Sequence, residues 1–292
     1  MDSLTLTDRI RAGYDALSPQ LQQAARYLLS HPEEAALASM RRLADLSGVS
    51  PASMVRLAQA LGYPGWNELR EQVREQMRNG EPLFVDRARR LQGRDARTEE
   101  RLIQDMVVAD TVALRDLLIT VGSERLAACR DTILSARRVY VLGLRSSYSV
   151  AFLFHYTYSL FRDNAVLLDG HGGTFADSLR HVGPRDVLVA ISLPPYTRET
   201  VSAADFAAGE GAAVVAITDG ANSPLAGVAR HVLTVSHESP SFFQSLVPSL
   251  ALVQMLAASL AAGSGPDTLA ALAASERQLK GLNAYWEPGD IP

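Results

Sequence analysis

Over the first eighty residues, apolar side chains recur at three- and four-residue intervals, and that rhythm predicts a run of short helices. A first helix is expected over residues 4–17, with Ile10, Tyr14 and Leu17 on one side. A second follows to about residue 30, capped by Ser18 and opened by Pro19, with Leu21, Ala24, Ala25, Leu28 and Leu29 inward. A short helix over 33–37 leads to Ser39, the N-cap expected for the stretch at 40–63, MRRLADLSGVSPASMVRLAQALGY. There Met40, Leu43 and Leu46 make one stripe, and Met54, Val55, Leu57 and Leu61 make a second. Between them Gly48 suits a sharp turn that needs positive φ, Val49 plugs the gap, Ser50 caps and Pro51 sits at the first helical position. Another helix is expected from 66 to about 77.

The pattern changes twice further on. Residues 78–98 carry Arg, Gly, Asp and Glu with few apolar positions, and the turn pairs Asn79-Gly80 and Glu81-Pro82 predict a linker over 79–99. After a broad-striped helix at 100–119 and a helix at 123–136, short β-branched runs alternate with helices. Strands are expected at 139–142, 165–168, 186–191, 213–218 and 231–235. Helices are expected at 147–161, 175–181, 197–208, 222–228, 242–262 and 266–282. Strands apolar on both faces argue a parallel sheet covered on both sides. The fold class is therefore two domains: an all-α helix-turn-helix unit over 1–78 and an α/β three-layer unit over 100–283 with a five-stranded parallel sheet. Residues 284–292 read as a tail.

Charge and composition narrow the function. The net charge is −4, so any grip on nucleic acid must come from a local patch. A helix-turn-helix supplies one: its second helix enters the major groove. The DNA-facing positions expected are Arg41 and Arg42 at the start of the first helix, with Ser50, Ser53, Arg56 and Gln59 on the second. Arg and Gln suit either phosphates or base edges. Alternatively, the two helices are an ordinary packed pair with solvated charges. The single cysteine, Cys129, excludes an intramolecular disulfide and a Cys-based zinc site and fits a reducing cytoplasm. MDSLTLTDRI does not read as a signal peptide, and the apolar run at 246–262 is broken by Pro248, Ser249 and Gln254, so it reads as a buried helix rather than a membrane span. No metal or cofactor is expected, and His155 reads as packed.

In open α/β sheets ligands sit where strands run out into helices. Three such loops carry polar residues: Gly143-Leu144-Arg145-Ser146-Ser147, Ser192-Leu193-Pro194-Pro195-Tyr196-Thr197-Arg198 and Thr218-Asp219-Gly220. Hydroxyls and helix N-termini suit an anion, which makes Arg145, Ser146, Ser147, Ser192, Tyr196, Thr197 and Arg198 the effector-binding candidates. The same Ser and Thr could simply cap helices.

The pieces SGVSPASMVRLAQALGY, GLRSSYSVA, AISLPPYTRETV and AITDGANSPLAGVA resemble the MurR/RpiR family of bacterial transcriptional regulators, over about residues 4–282. The resemblance implies a helix-turn-helix followed by a SIS (sugar isomerase) domain with a five-stranded parallel sheet. It also implies an effector that is a phosphorylated sugar or related anionic carbohydrate derivative, held at Ser146, Ser147, Ser192 and Thr197. The family's second loop resembles Ser-x-Ser-Gly-x-Thr; here it is Ser192-Leu193-Pro194-Pro195-Tyr196-Thr197, which loses two amide donors and gains a phenol, and a smaller, non-phosphorylated or carboxylate-bearing metabolite is the alternative effector. The partners expected are an operator duplex, a small-molecule effector and further copies of the chain as a homodimer or homotetramer, in the cytoplasm and without a membrane. The alternative is a sugar-phosphate isomerase or related enzyme on the same fold. Its acid/base would come from His171, Glu199 or His237.

Overall fold

The computed structural model describes residues 6, 9–10, 14, 17–30, 32–79, 84–92 and 98–286. The chain divides into two compact units, Met1–Asp86 and Arg87–Pro292. The expected first helix over 4–17 lies mostly outside the described residues, although Leu6, Ile10 and Leu17 are buried. In the first unit the helices are α1 (Pro19–Ser30), α2 (Pro32–Leu37), α3 (Met40–Ser47), α4 (Pro51–Ala60) and α5 (Trp66–Asn79). Their core joins Ala24, Ala25 and Leu28 to Leu43, Ala44, Met54, Leu57, Leu61, Trp66 and Leu69. Leu46 is 46% exposed, so the inner stripe of α3 is Leu43 with Ala44 and Ser47. Arg74 Nε ties α5 to the end of α2 by donating to the Ala36 carbonyl at 2.8 Å.

Helix α6 (Phe84–Gln92) occupies the middle of the span expected as a linker; residues 80–83 and 93–97 lie outside the described residues. The second unit continues with α7 (Thr98–Thr120), α8 (Ser123–Leu134), β1 (Val139–Gly143), α9 (Tyr148–Ser159), β2 (Ala165–Leu167), α10 (Phe175–Ser178), β3 (Val187–Ile191), α11 (Arg198–Gly209), β4 (Ala213–Thr218), β5 (His231–Thr234), α12 (Val247–Gly263) and α13 (Pro266–Gly281). The five strands are all parallel, in the order β2-β1-β3-β4-β5. One core lies between the sheet and α8, α9 and α12, with Val141, Val189, Ile217, Phe154 and Leu256. The other lies on the opposite face, with Tyr140, Leu142, Leu188, Ala190 and the alanines of α11. Central strands β1 and β3 are buried at every residue, which is why they read as unbroken apolar runs.

Two expected helices differ. Residues 221–228 form turns, because Ser223 Oγ accepts from the Leu225 amide at 3.2 Å and curls the chain. Helix α12 begins at Val247 rather than 242; Ser245 Oγ receives the Val247 amide at 3.2 Å and Pro248 occupies the first turn. Among the described residues no single helix is long and apolar enough to cross a membrane. Helix α12 buries Leu252, Val253, Leu256 and Leu260 in the core.

The amino ends of β1 and β3 are pinned by a fork. Arg137 donates through Nε and Nη2 to the two oxygens of Asp186, at 2.9 and 2.6 Å, and the Gly183 amide adds a third bond at 3.0 Å. Burial of Asp186 works against its charge, but the Arg137 guanidinium and the backbone amides outweigh it and hold the carboxyl below its ordinary value. A depressed folded value means the stabilisation is complete above the unfolded value near ~3.9 and is lost as pH falls through the folded one. Asp186→Asn is therefore expected to cost about 2 kcal/mol at pH 7 in urea unfolding, with the gap to wild type closing below about pH 4. A gap independent of pH would refute this role.

Candidate functional site

The helix-turn-helix is built by a backbone turn. Gly48 adopts φ 68°, and the Val49 amide returns to the Ala44 carbonyl at 2.9 Å, closing α3 in the manner of a Schellman end. A Cβ on Gly48 would stand 2.9 Å from Gln23 Nε2, which itself donates to the Ser47 carbonyl. Val49 is buried in the corner, and Ser50 caps α4 by accepting the Ser53 amide at 3.2 Å. Arg41, Arg42, Ser50, Arg56 and Gln59 are all exposed, on the faces expected to meet DNA.

Ser53 is not on that face. It is fully buried, which corrects its expected place as a contact. Its hydroxyl lies 2.9 Å from Ser50 Oγ and accepts from Arg56 Nη2 at 3.1 Å. A serine at the third helical position, satisfied on both sides, can turn inward at little cost. Its hydroxyl holds Ser50 and Arg56.

In the second unit the sheet order reverses between β1 and β3, the place where open α/β sheets take ligands. Gly143 pairs with Ile191 at the last rung, so Leu144–Ser147 and Ser192–Thr197 emerge side by side. The first loop turns so tightly that a Cβ on Gly143 would stand 2.5 Å from the Ser147 carbonyl oxygen. Arg145 takes a left-handed φ of 54°, which costs a non-glycine residue about 1 kcal/mol. It is exposed, Ser146 is half-buried and Ser147 is 5% exposed; among the described residues Arg145 has no ion-pair partner.

In the second loop the Pro194–Pro195 bond is cis. Ser192 is buried and its hydroxyl accepts the Thr197 amide at 3.3 Å, so it shapes the loop as well as lining it. Thr197 precedes α11 without a side-chain cap bond and is half-buried. Arg198 and Glu199 are exposed in the first turn of α11. Tyr196 donates its hydroxyl to Asp219 Oδ1 at 2.7 Å, linking the loops after β3 and β4. Thr218 Oγ1 sits 2.9 Å from the Ser192 carbonyl, 3.1 Å from Asp219 Oδ1 and 2.7 Å from Ser223 Oγ. Asp219 was not among the expected site residues. Its signal was its place after the β4 run, in the third polar loop.

The residues considered for acid/base work lie on separate segments of the chain. His171, strongly exposed, meets Asp169 at 2.6 Å through its ring and also donates its amide to that carboxylate. The amide bond, then burial working the other way, then the ring contact leave Asp169 below its ordinary value. This is the geometry of a closed turn. Glu199 lies at the start of α11, and His237 is buried beyond β5. His155 is half-buried, and burial lowers its pKa. Among the described residues no group of three or more His, Cys, Asp or Glu could hold a metal ion.

An exposed reading helix and an α/β unit with polar switch-point loops, carried on one chain, define a DNA-binding transcriptional regulator. Two families of domains match: the helix-turn-helix domain of the rpiR family over residues 4–80 and the SIS domain over 132–259. The chain is 31% identical over 233 residues to the uncharacterized HTH-type transcriptional regulator YfhH of Escherichia coli K12, covering 79% of this chain and 81% of that one. It is 27% identical over 227 residues to the HTH-type transcriptional regulator HexR of Pseudomonas aeruginosa, covering 76% and 75%. It also matches 40% of the length of the bifunctional protein glk of Burkholderia mallei, at 27% identity. Among solved structures, the sugar isomerase domain of an RpiR transcription factor from Sphaerobacter thermophilus aligns at TM-score 0.58 and 28% identity, over 61% of this chain and 99% of that one. The Vibrio vulnificus NanR protein complexed with ManNAc-6P shares the fold at TM-score 0.55 and 21% identity, over 96% and 100%. The chain belongs to the RpiR family of helix-turn-helix regulators with a SIS domain.

The burial of Ser53 is checked by Ser53→Ala. Loss of a buried, doubly bonded hydroxyl is expected to lower unfolding stability by about 1 kcal/mol, whereas an exposed serine would change it by less than about 0.5 kcal/mol. Urea denaturation of the purified chain distinguishes the two, and a change below the lower figure would restore Ser53 to the surface.

Proposed function

We propose that α4 reads an operator duplex through Arg56 and Gln59, with Ser50, Arg41 and Arg42 on the phosphates. In this reading the SIS domain senses an anionic carbohydrate derivative at the carboxyl ends of β1 and β3. The observation that carries it is the pairing on one chain of an exposed Arg56, held by Ser53, with polar loops that leave β1 and β3 side by side at the switch point of the sheet; in this reading Arg145, Ser146, Ser147, Ser192, Tyr196, Thr197 and Arg198 of those loops hold the effector. The relatives named above as transcriptional regulators support sensing over turnover, and so does the scatter of His171, Glu199 and His237 over three separate segments.

The active form is a homo-oligomer. Along α7, Ile103, Val107, Val108, Val112, Leu118 and Ile119 are each more than half exposed, a larger apolar surface than one helix of a monomer ordinarily leaves in water. A dimer matches the two-fold symmetry of paired half-sites. Effector binding then acts by favouring one arrangement of the copies over another.

A duplex selected by the protein from a random library tests the DNA side. Arg56→Ala is expected to weaken its binding in a mobility-shift assay by about tenfold, the worth of one good base or phosphate contact. Binding unchanged by this substitution would overturn the assignment of α4.

A further inference from the structure

The site described above is not a phosphate site of even polarity. Its two walls differ in chemistry. On the wall after β3, four of the six amides from Ser192 to Thr197 cannot donate to a ligand. Pro194 and Pro195 have none, the Ser192 amide is spent on the Ile217 carbonyl at 3.1 Å, and the Thr197 amide is spent on Ser192 Oγ. Behind this loop stands a carboxylate. Asp219 Oδ1 takes the Tyr196 hydroxyl, while Asp219 Oδ2 has no protein partner among the described residues, and Asp219 is only half-buried. An acceptor beside a phenol suits the hydroxyls of a polyol and repels an anion.

The wall after β1 is cationic. Arg145 enters a tight 3-10 turn from a left-handed conformation; the Ser147 amide is spent on the Leu144 carbonyl at 3.1 Å and the Tyr148 amide on the Arg145 carbonyl, and among the described residues the Arg145 guanidinium is unengaged. Ser147, 5% exposed, has no hydrogen-bond partner for its hydroxyl among the described residues. One anionic group fits here. The mouth as a whole carries Arg145 and Arg198 against Glu199 and Asp219, with Asp169 on the neighbouring loop after β2, so it has no surplus positive charge for a dianion.

We infer that the effector is a sugar acid, a polyol carrying a carboxylate and no phosphate. Its carboxylate sits on Arg145, Ser146 and Ser147 and its hydroxyls meet Asp219 and Tyr196. The planar fork of Arg145 matches a carboxylate in two parallel bonds. This rests on the effector-site reading above and names the ligand class of that site.

The test is calorimetry and thermal melting of the full chain. The probes are five- and six-carbon aldonates and hexuronates, the 6-phosphates of the parent hexoses, and inorganic phosphate. At least one sugar acid is expected to bind tenfold or more tightly than any phosphate probe and to raise the melting temperature. Arg145→Gln should weaken that binding at least tenfold, and Asp219→Asn should weaken it too. Asp219→Asn also touches the Tyr196 link, so Arg145→Gly serves as the second variant. It relaxes the left-handed backbone, and should leave the melting temperature of the free protein at or above wild type while abolishing the ligand shift. Tighter binding of a hexose phosphate, lost in Arg145→Gln, would overturn the sugar-acid assignment and leave the effector site standing. No response to any probe would overturn both.

Discussion

The turn from Gly143 to Ser147 is the constraint on which the second unit depends. Strand β1 is buried at every residue and cannot drift, and its last residue, Gly143, packs against the Ser147 carbonyl at a distance that forbids a Cβ. Helix α9 therefore starts directly over the end of the strand. The intervening residues have no room for a relaxed loop, and Arg145 is driven into the left-handed region. Strain of this kind survives where the surroundings over-determine it. Here they do so beside the sheet's switch point, at the carboxyl ends of two neighbouring strands.

The first unit obeys a related rule with a different turn. Gly48 lies in the left-handed region itself, and the corner it makes lets α4 project Arg56 and Gln59 outward while Met54, Leu57 and Ala58 pack inward. In both units a glycine sets the backbone, buried apolar neighbours fix it, and polar residues of the adjoining helix inherit their placement. The two sites differ in what finishes them. Arg56 is braced by a buried serine within its own helix, whereas Tyr196 is braced across strands by Asp219.

Most of this architecture was legible in the amino-acid order because it is written in short-range signals. The strands are apolar on both faces, Ser39, Ser50 and Pro51 mark helix starts, and Gly48 sits where a turn requires it. What escaped depends on distance or on backbone state. Ser53 is polar and was expected outside; only the approach of Ser50 and Arg56 shows that its hydroxyl is satisfied within. The left-handed conformation of Arg145 has no mark in a residue type that rarely adopts it. The pairing of Tyr196 with Asp219 joins residues on different strands, and helix α12 begins late because Ser245 diverts the chain ahead of Pro248.

The central claim is that metabolite and operator are felt by one molecule, and the affinity of each must then depend on the other. Fluorescence anisotropy of the selected duplex, titrated with the full chain with and without a saturating amount of the sugar acid or sugar phosphate that binds it most tightly, measures that dependence directly. The account predicts a change in operator Kd of about fivefold or more in the wild type and none in Arg145→Gln. An operator Kd that the bound probe leaves unchanged in the wild type would contradict it.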